Sequence, residues 1–155
     1  MIVNASPLII LGKLNKISIL IKIYKKLEIT NKVYEEVVLK GIEQNASDAF
    51  IAKQHIDNKE IKVFDLDKKF LDMASKIQLI YSIDMGEAET IALALQSTQK
   101  EIIIDELAAR EAARSFGIKP IGSLGILLTA YQNEPAQKNL QLLTAKQQIV
   151  LVNGK

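Results

Sequence analysis

Cysteine is absent from the sequence and histidine occurs once, at His55. The first absence excludes a disulfide framework and a cysteine-ligated zinc centre, and it fits a reducing cytoplasm. The second leaves no Ser-His-Asp set and no zinc site, because the one imidazole lies in the polar stretch KQHID, where a helix surface is the default. Long hydrophobic runs are missing as well. The most apolar stretch, SPLIILGKLNKISILIKIYKK, is broken by Lys13, Lys16 and Lys22, well short of the roughly 18 uninterrupted apolar residues of a spanning helix. It reads as buried helices, so no membrane association is expected. A signal peptide is not expected either, since no basic segment precedes the apolar start and no small-residue cleavage site follows it; the expected location is cytoplasmic.

A strong charge of one sign is lacking too. Twenty basic residues face 18 acidic ones for a net charge of +2, so charge by itself points to no nucleic-acid partner. No glycine-rich phosphate loop occurs: GIKPIGSLG has neither the Lys-Ser/Thr of a Walker loop nor the spacing of a dinucleotide fingerprint. Repeats, low-complexity tracts and linkers are absent, which leaves one domain over residues 1–155. A chain of this length buries roughly 70% of its unfolded surface. Its 48% apolar and 25% charged residues are ordinary for such a domain.

What the sequence does contain is an alternation of short β-rich runs with helical patterns. MIVN reads as a strand, followed by a helix with Ser6 as N-cap and Pro7 at its first position. A second helix is expected near 16–26, then one capped by Thr30 or Asn31 that runs to about Lys40 and is closed by Gly41. Further helices are expected at about 46–58, 67–80 and 86–98, in ELAAREAARSF, and from a Ser123 cap to about Gln132. Strands are expected at IKVF (61–64), in EIIID and in IKPIG. After Pro135 a last helix is expected, and IVLV at 149–152 reads as an edge strand. Parallel crossovers need intervening helices, so the order implies an α/β fold with a parallel sheet covered on both faces.

In such folds ligands bind beyond the carboxyl ends of the strands. The residues there are Asn4 and Asp105, joined by Glu87 at a helix start. Each also has a structural reading. Asp84 and Glu87 have the spacing of a capping box, although Glu87 aligns with Ile91 and Leu95 on the apolar face, whereas Glu89 lies on a more exposed line. Asp105 is an ordinary N-cap candidate. Arg110 and Arg114, the only arginines, share a helix face and suit either phosphate binding or pairing with Glu106 and Glu111. Glu35 and Glu36 both flank an apolar stripe, and periodicity barely separates them. What remains is a set of oxygen donors, which suits magnesium or manganese.

The segments IVNASPLI, VYEEVV, GEAETIALA, IIIDELAAR and GIKPIGSLGILL resemble, in order and spacing, those of PIN-domain proteins, over about residues 1–133. The likeness is greatest to the prokaryotic branch described as predicted nucleic-acid-binding PIN proteins. This resemblance implies a three-layer α/β/α sandwich with a central, mainly parallel sheet and an acidic cluster that binds Mg2+ or Mn2+ to hydrolyse single-stranded RNA. It further implies a toxin paired with an antitoxin protein, and a homodimer. The family's acidic positions fall on Asn4, Glu36, Glu87 and Asp105, the last three as metal ligands, with Asp105 exchangeable for Glu106. Ser6 and Ser123 fall on the small hydroxyl positions near the pocket, and with Arg110 and Arg114 they form the expected nucleic-acid contacts. Asn4 stands where most PIN nucleases place Asp, which removes one negative charge and should weaken metal affinity. The alternative is therefore a PIN fold that binds RNA or protein without cleaving. A phosphoacceptor receiver domain, suggested by Lys119-Pro120, lacks its acidic pair after the first strand.

Overall fold

The computed structural model describes residues 1–132 of the chain. The expected helix after Pro135 and the strand at 149–152 lie outside the described residues. Five strands, β1 (Ile2–Val3), β2 (Leu27–Thr30), β3 (Ile61–Phe64), β4 (Glu101–Ile103) and β5 (Lys119–Ile121), form one parallel sheet in the order β3-β2-β1-β4-β5. Strict alternation of side chains sends Ile102 and Ile104 to one face and Ile103 to the other; Ile2 and Val3 divide in the same way. Each face thereby has its own core.

On the first face lie α1 (Ala5–Lys13), α2 (Ile17–Tyr24), α5 (Ser47–Asp57) and α9 (Ser123–Gln132), with Leu8, Leu11, Leu20 and Ile126 in the core. On the second lie α6 (Lys68–Tyr81), α7 (Met85–Gln96) and α8 (Leu107–Ser115), whose Ile77, Ile91, Ala109 and Ala112 close over Ile2 and Ile102. The chain is thus a three-layer α/β/α sandwich. Among the described residues β5 is an edge strand, where Pro120 is accommodated.

Several local expectations change. The strand β2 lies where no strand is expected between the second and third helices. Its four residues alternate too briefly to announce themselves, and they become a strand because β1 and β3 pair on either side. Helix α1 begins at Ala5 with Asn4 in the N-cap position; Ser6 is exposed in its first turn rather than capping it, and Pro7, also in that turn, needs no N–H there. Thr30 does cap α3 (Asn31–Tyr34), its Oγ1 accepting from Val33 N at 3.3 Å. The chain then widens into a π-helical segment, Glu35–Leu39, before α4 (Lys40–Glu43). Gly41 lies inside α4 and does not close the helix. It is a packing residue: a Cβ there would stand 2.5 Å from the Ala49 Cβ of α5.

Candidate active site at the carboxyl ends of the strands

Two groups of polar side chains gather beyond the strand ends. The first surrounds the start of α7. Asp84 and Glu87 form a reciprocal capping box, with Asp84 N donating to Glu87 Oε2 at 3.0 Å. This satisfies backbone donors that the first helical turn otherwise leaves unpaired. Glu87 is nevertheless 7% exposed. Burial pushes its carboxyl above the ordinary range, the Asp84 backbone N–H opposes this, and the charges of Asp84, Glu106 and Glu36 push it further up.

Glu36 reaches the same place from the π-helical segment, a distortion often found at functional sites. Its carboxylate rests against Gly86, where an added Cβ would stand 2.8 Å from Glu36 Oε2. Burial raises its proton affinity first; Lys40 and Lys32 counteract this, while Asp84 and Glu89 add to it. Of the adjacent pair, Glu35 turns to solvent and binds Lys32 at 3.0 Å. Asn4 joins this group through Thr90. The Thr90 hydroxyl donates to Gly86 O at 2.7 Å and, over a longer 3.3 Å, to Asn4 Oδ1. Both side chains are buried. Asn4 therefore does not cap α1 with its side chain; its oxygen faces α7 instead.

The second group lies between β4 and α9. Asp105 Oδ1 accepts from Ser123 N at 2.7 Å and Oδ2 accepts from Ser123 Oγ at 2.6 Å. Ser123 is thus held by Asp105 and does not act as a side-chain cap of its own helix. Gly122 leaves room for this junction, since a Cβ there would stand 3.2 Å from both Asp105 Oδ1 and Arg110 Nη1. Among the described residues, Arg110 Nε is buried without a hydrogen-bond partner. Arg114, one turn further along α8 and in its last turn, is exposed; its position leads away from the strand ends. Ser6 is likewise exposed.

Of the three expected metal ligands, Glu36 and Glu87 lie together at the start of α7, and Asp105 lies at the start of α9. Glu87 feels the charge of Glu106 from the α8 start, while Asp105 is committed to Ser123. Among the described residues, no three Asp, Glu or His side chains stand together as a metal-holding group. The two carboxylates and the Asn4 amide oxygen, which reaches α7 through Thr90, are hard oxygen donors, and two carboxyls whose proton affinity is raised first by burial favour a positive charge beside them. In donor chemistry and charge the place fits a divalent cation of the magnesium type.

Sequence reasoning missed Gly86, Thr90 and Gly122. Only GEAET carried a hint of the first two, and their roles depend on what the fold brings opposite them. His55 Nδ1 lies 2.7 Å from Glu60 Oε2. Lys119 pairs with Glu101 at 2.7 Å, at the beginnings of β5 and β4, not at the strand ends where a receiver domain needs it. A cleft of about 400 Å³, lined by Lys26, Lys59 and Lys62 over Leu27, Ile56 and Ile61, opens where β2 and β3 begin. None of the expected site residues lines it. No described helix is long and apolar enough to cross a membrane.

No curated protein and no solved structure matches the chain. A family model described as a PIN domain matches residues 1–148. With the five-stranded parallel sheet, the helices on both faces and the acidic side chains at the strand ends, the chain belongs to the PIN-domain family.

Proposed function

We propose that this PIN protein hydrolyses phosphodiester bonds of single-stranded RNA, with a divalent cation held by Glu36 and Glu87. The observation that carries the reading is the meeting of these two half-buried or buried carboxyls at the start of α7, each with a raised affinity for protons. Magnesium or manganese, when bound, supplies positive charge to the attacked phosphate. The Glu87 carboxylate, oriented at the α7 start by the bond from Asp84 N, accepts the proton lost by the attacking water. Glu36 would help to hold the same cation and balance its charge. Arg110, whose Nη1 lies at Gly122 with Asp105, carries a guanidinium suited to a phosphate oxygen. Asp105 holds the α9 start through Ser123.

Cleavage of labelled single-stranded RNA in manganese tests this, with Glu87→Gln and Glu36→Gln beside wild type. Loss of at least a hundredfold in each is expected. Equal product from wild type and both variants removes the nuclease reading. A second reading, RNA or protein binding without cleavage, draws on Asn4: the neutral amide is tied to Thr90 and adds no charge to the pair. Binding of the same RNA with no cleavage in any divalent ion favours it.

The role of a cytoplasmic toxin with an antitoxin partner extends the first reading and rests on the family alone. It predicts growth arrest on expression of wild type, relieved by Glu87→Gln and by co-expression of a neighbouring small protein.

A further inference from the structure

Gly86 is the second residue of α7, and its backbone does not adopt a left-handed conformation. Helix geometry therefore gives no reason for glycine, which is a poorer helix former than alanine. The reason lies across the interface. A Cβ at this position would stand 2.8 Å from Glu36 Oε2, 3.0 Å from Oε1 and 3.2 Å from Cδ. The Glu36 carboxylate thus occupies the space that any other residue at position 86 fills. This space adjoins the first turn of α7, where backbone N–H groups point outward and the helix dipole favours an anion.

We propose that Gly86 is a positioning residue: its bare Cα is the seat of the Glu36 carboxylate and fixes that group beside Glu87. The nearest atoms are the far end of a flexible side chain, not backbone. A methyl group at position 86 therefore swings Glu36 away and leaves the fold intact. Gly86 O adds to the arrangement by accepting from Thr90, which holds Asn4 on the neighbouring turn. The catalytic consequence rests on the nuclease reading; the seat itself does not.

The test uses the full chain with Gly86→Ala, Glu36→Gln, Glu36→Asp and the combinations. Gly86→Ala is expected to melt at or above the wild-type temperature while manganese-dependent RNA cleavage falls at least tenfold. Glu36→Asp, one methylene shorter, should recover several-fold of that loss in the Gly86→Ala background and lower activity in the wild-type background. A readout independent of catalysis is the amide spectrum: Glu36→Gln should shift the Glu87 N–H in wild type and leave it nearly unmoved in Gly86→Ala. Equal shifts in both backgrounds, or full activity of Gly86→Ala, overturn the proposal. Should Gly86→Ala fail to fold, recovery of folding by Glu36→Ala supports the seat, and no recovery overturns it. A wild type that never cleaves, combined with loss of the amide coupling, leaves the seat standing and refutes the nuclease reading alone.

Discussion

Replacing Asp105 with alanine should destabilise the protein by about 3 kcal/mol, because the carboxylate joins β4 to α9 by two short bonds to Ser123. A hydrogen bond to a charged group contributes about 1.5–3 kcal/mol. Two of them would sum to more than 3 kcal/mol, but they share one partner residue and are not additive. Solvent reaching the half-buried Asp105 also recovers part of the loss, whereas the Ser123 hydroxyl, 1% exposed, recovers little. Ser123→Ala removes only the hydroxyl bond and should cost about 1–2 kcal/mol. Asp105→Asn should lie near it, since the amide can accept from Ser123 N and donate to Ser123 Oγ. Urea unfolding at neutral pH measures all three, together with the Asp105→Ala, Ser123→Ala double variant, whose cost should fall below the sum of the singles. At about 2–4 °C per kcal/mol for a chain of this size, Asp105→Ala should melt roughly 6–12 °C lower. If Asp105→Ala unfolds within about 0.5 kcal/mol of wild type, the bonds to Ser123 do not hold the junction and the argument for Asp105 as a structural residue fails. The outcome also determines how nuclease assays are read, since an inactive Asp105 variant is evidence of catalysis only if it is folded at the assay temperature.

The acidic pair gives a prediction of opposite sign. Burial raises the folded-state pKa of Glu36 and Glu87 above the unfolded value, so folding favours their protonated forms. Their penalty is absent well below the unfolded pKa, grows as pH rises through the unfolded and then the folded pKa, and is constant above both. Glu87→Gln, which retains an oxygen for Asp84 N, should therefore match wild type near pH 4 and exceed it in urea midpoint at pH 8; a variant weaker than wild type at pH 8 contradicts the assignment. Manganese at about 100 times its dissociation constant should stabilise wild type by about 2.7 kcal/mol, and the Glu36→Gln, Glu87→Gln double variant should show no such shift by calorimetry. Gly41→Ala should destabilise by about 1–3 kcal/mol through its clash with Ala49, whereas Gly125→Ala, with Ile121 Cγ2 at an ordinary 3.8 Å, should stabilise α9 by about 0.5–1 kcal/mol. Thermal melts that rank these two glycines in the reverse order would contradict the packing at both.

Much of the scaffold was legible because its signals are local. The β-rich run at Ile61–Phe64, a cap at Thr30 or Asn31 and the Asp84–Glu87 box each declare themselves within a few residues. The alternation of strands and helices then implied a parallel sheet, since no other connection suits such an order. Glu28 and its neighbours failed this test: β2 is four residues long, and its identity depends on β1 and β3, which the chain reaches from either side. Ser6 also misled, because the α1 start is set by Asn4 leaving β1, not by the best capping residue nearby.

At the site, the sequence by itself supplied the oxygen donors and their order, and the PIN resemblance marked position 4 as lacking a charge. Tertiary structure decided which of them meet. Glu35 and Glu36 are indistinguishable by periodicity until the π-helical segment turns one toward Gly86 and the other toward Lys32. Asp105 finds its partner in Ser123, 18 positions later, which donates to both of its oxygens. Asn4 finds its partner Thr90 at a separation of 86 residues. Propensities and caps act over one or two turns of chain, whereas a carboxylate's neighbours, its burial and hence its affinity for protons or cations are set by whatever the sheet brings across from elsewhere.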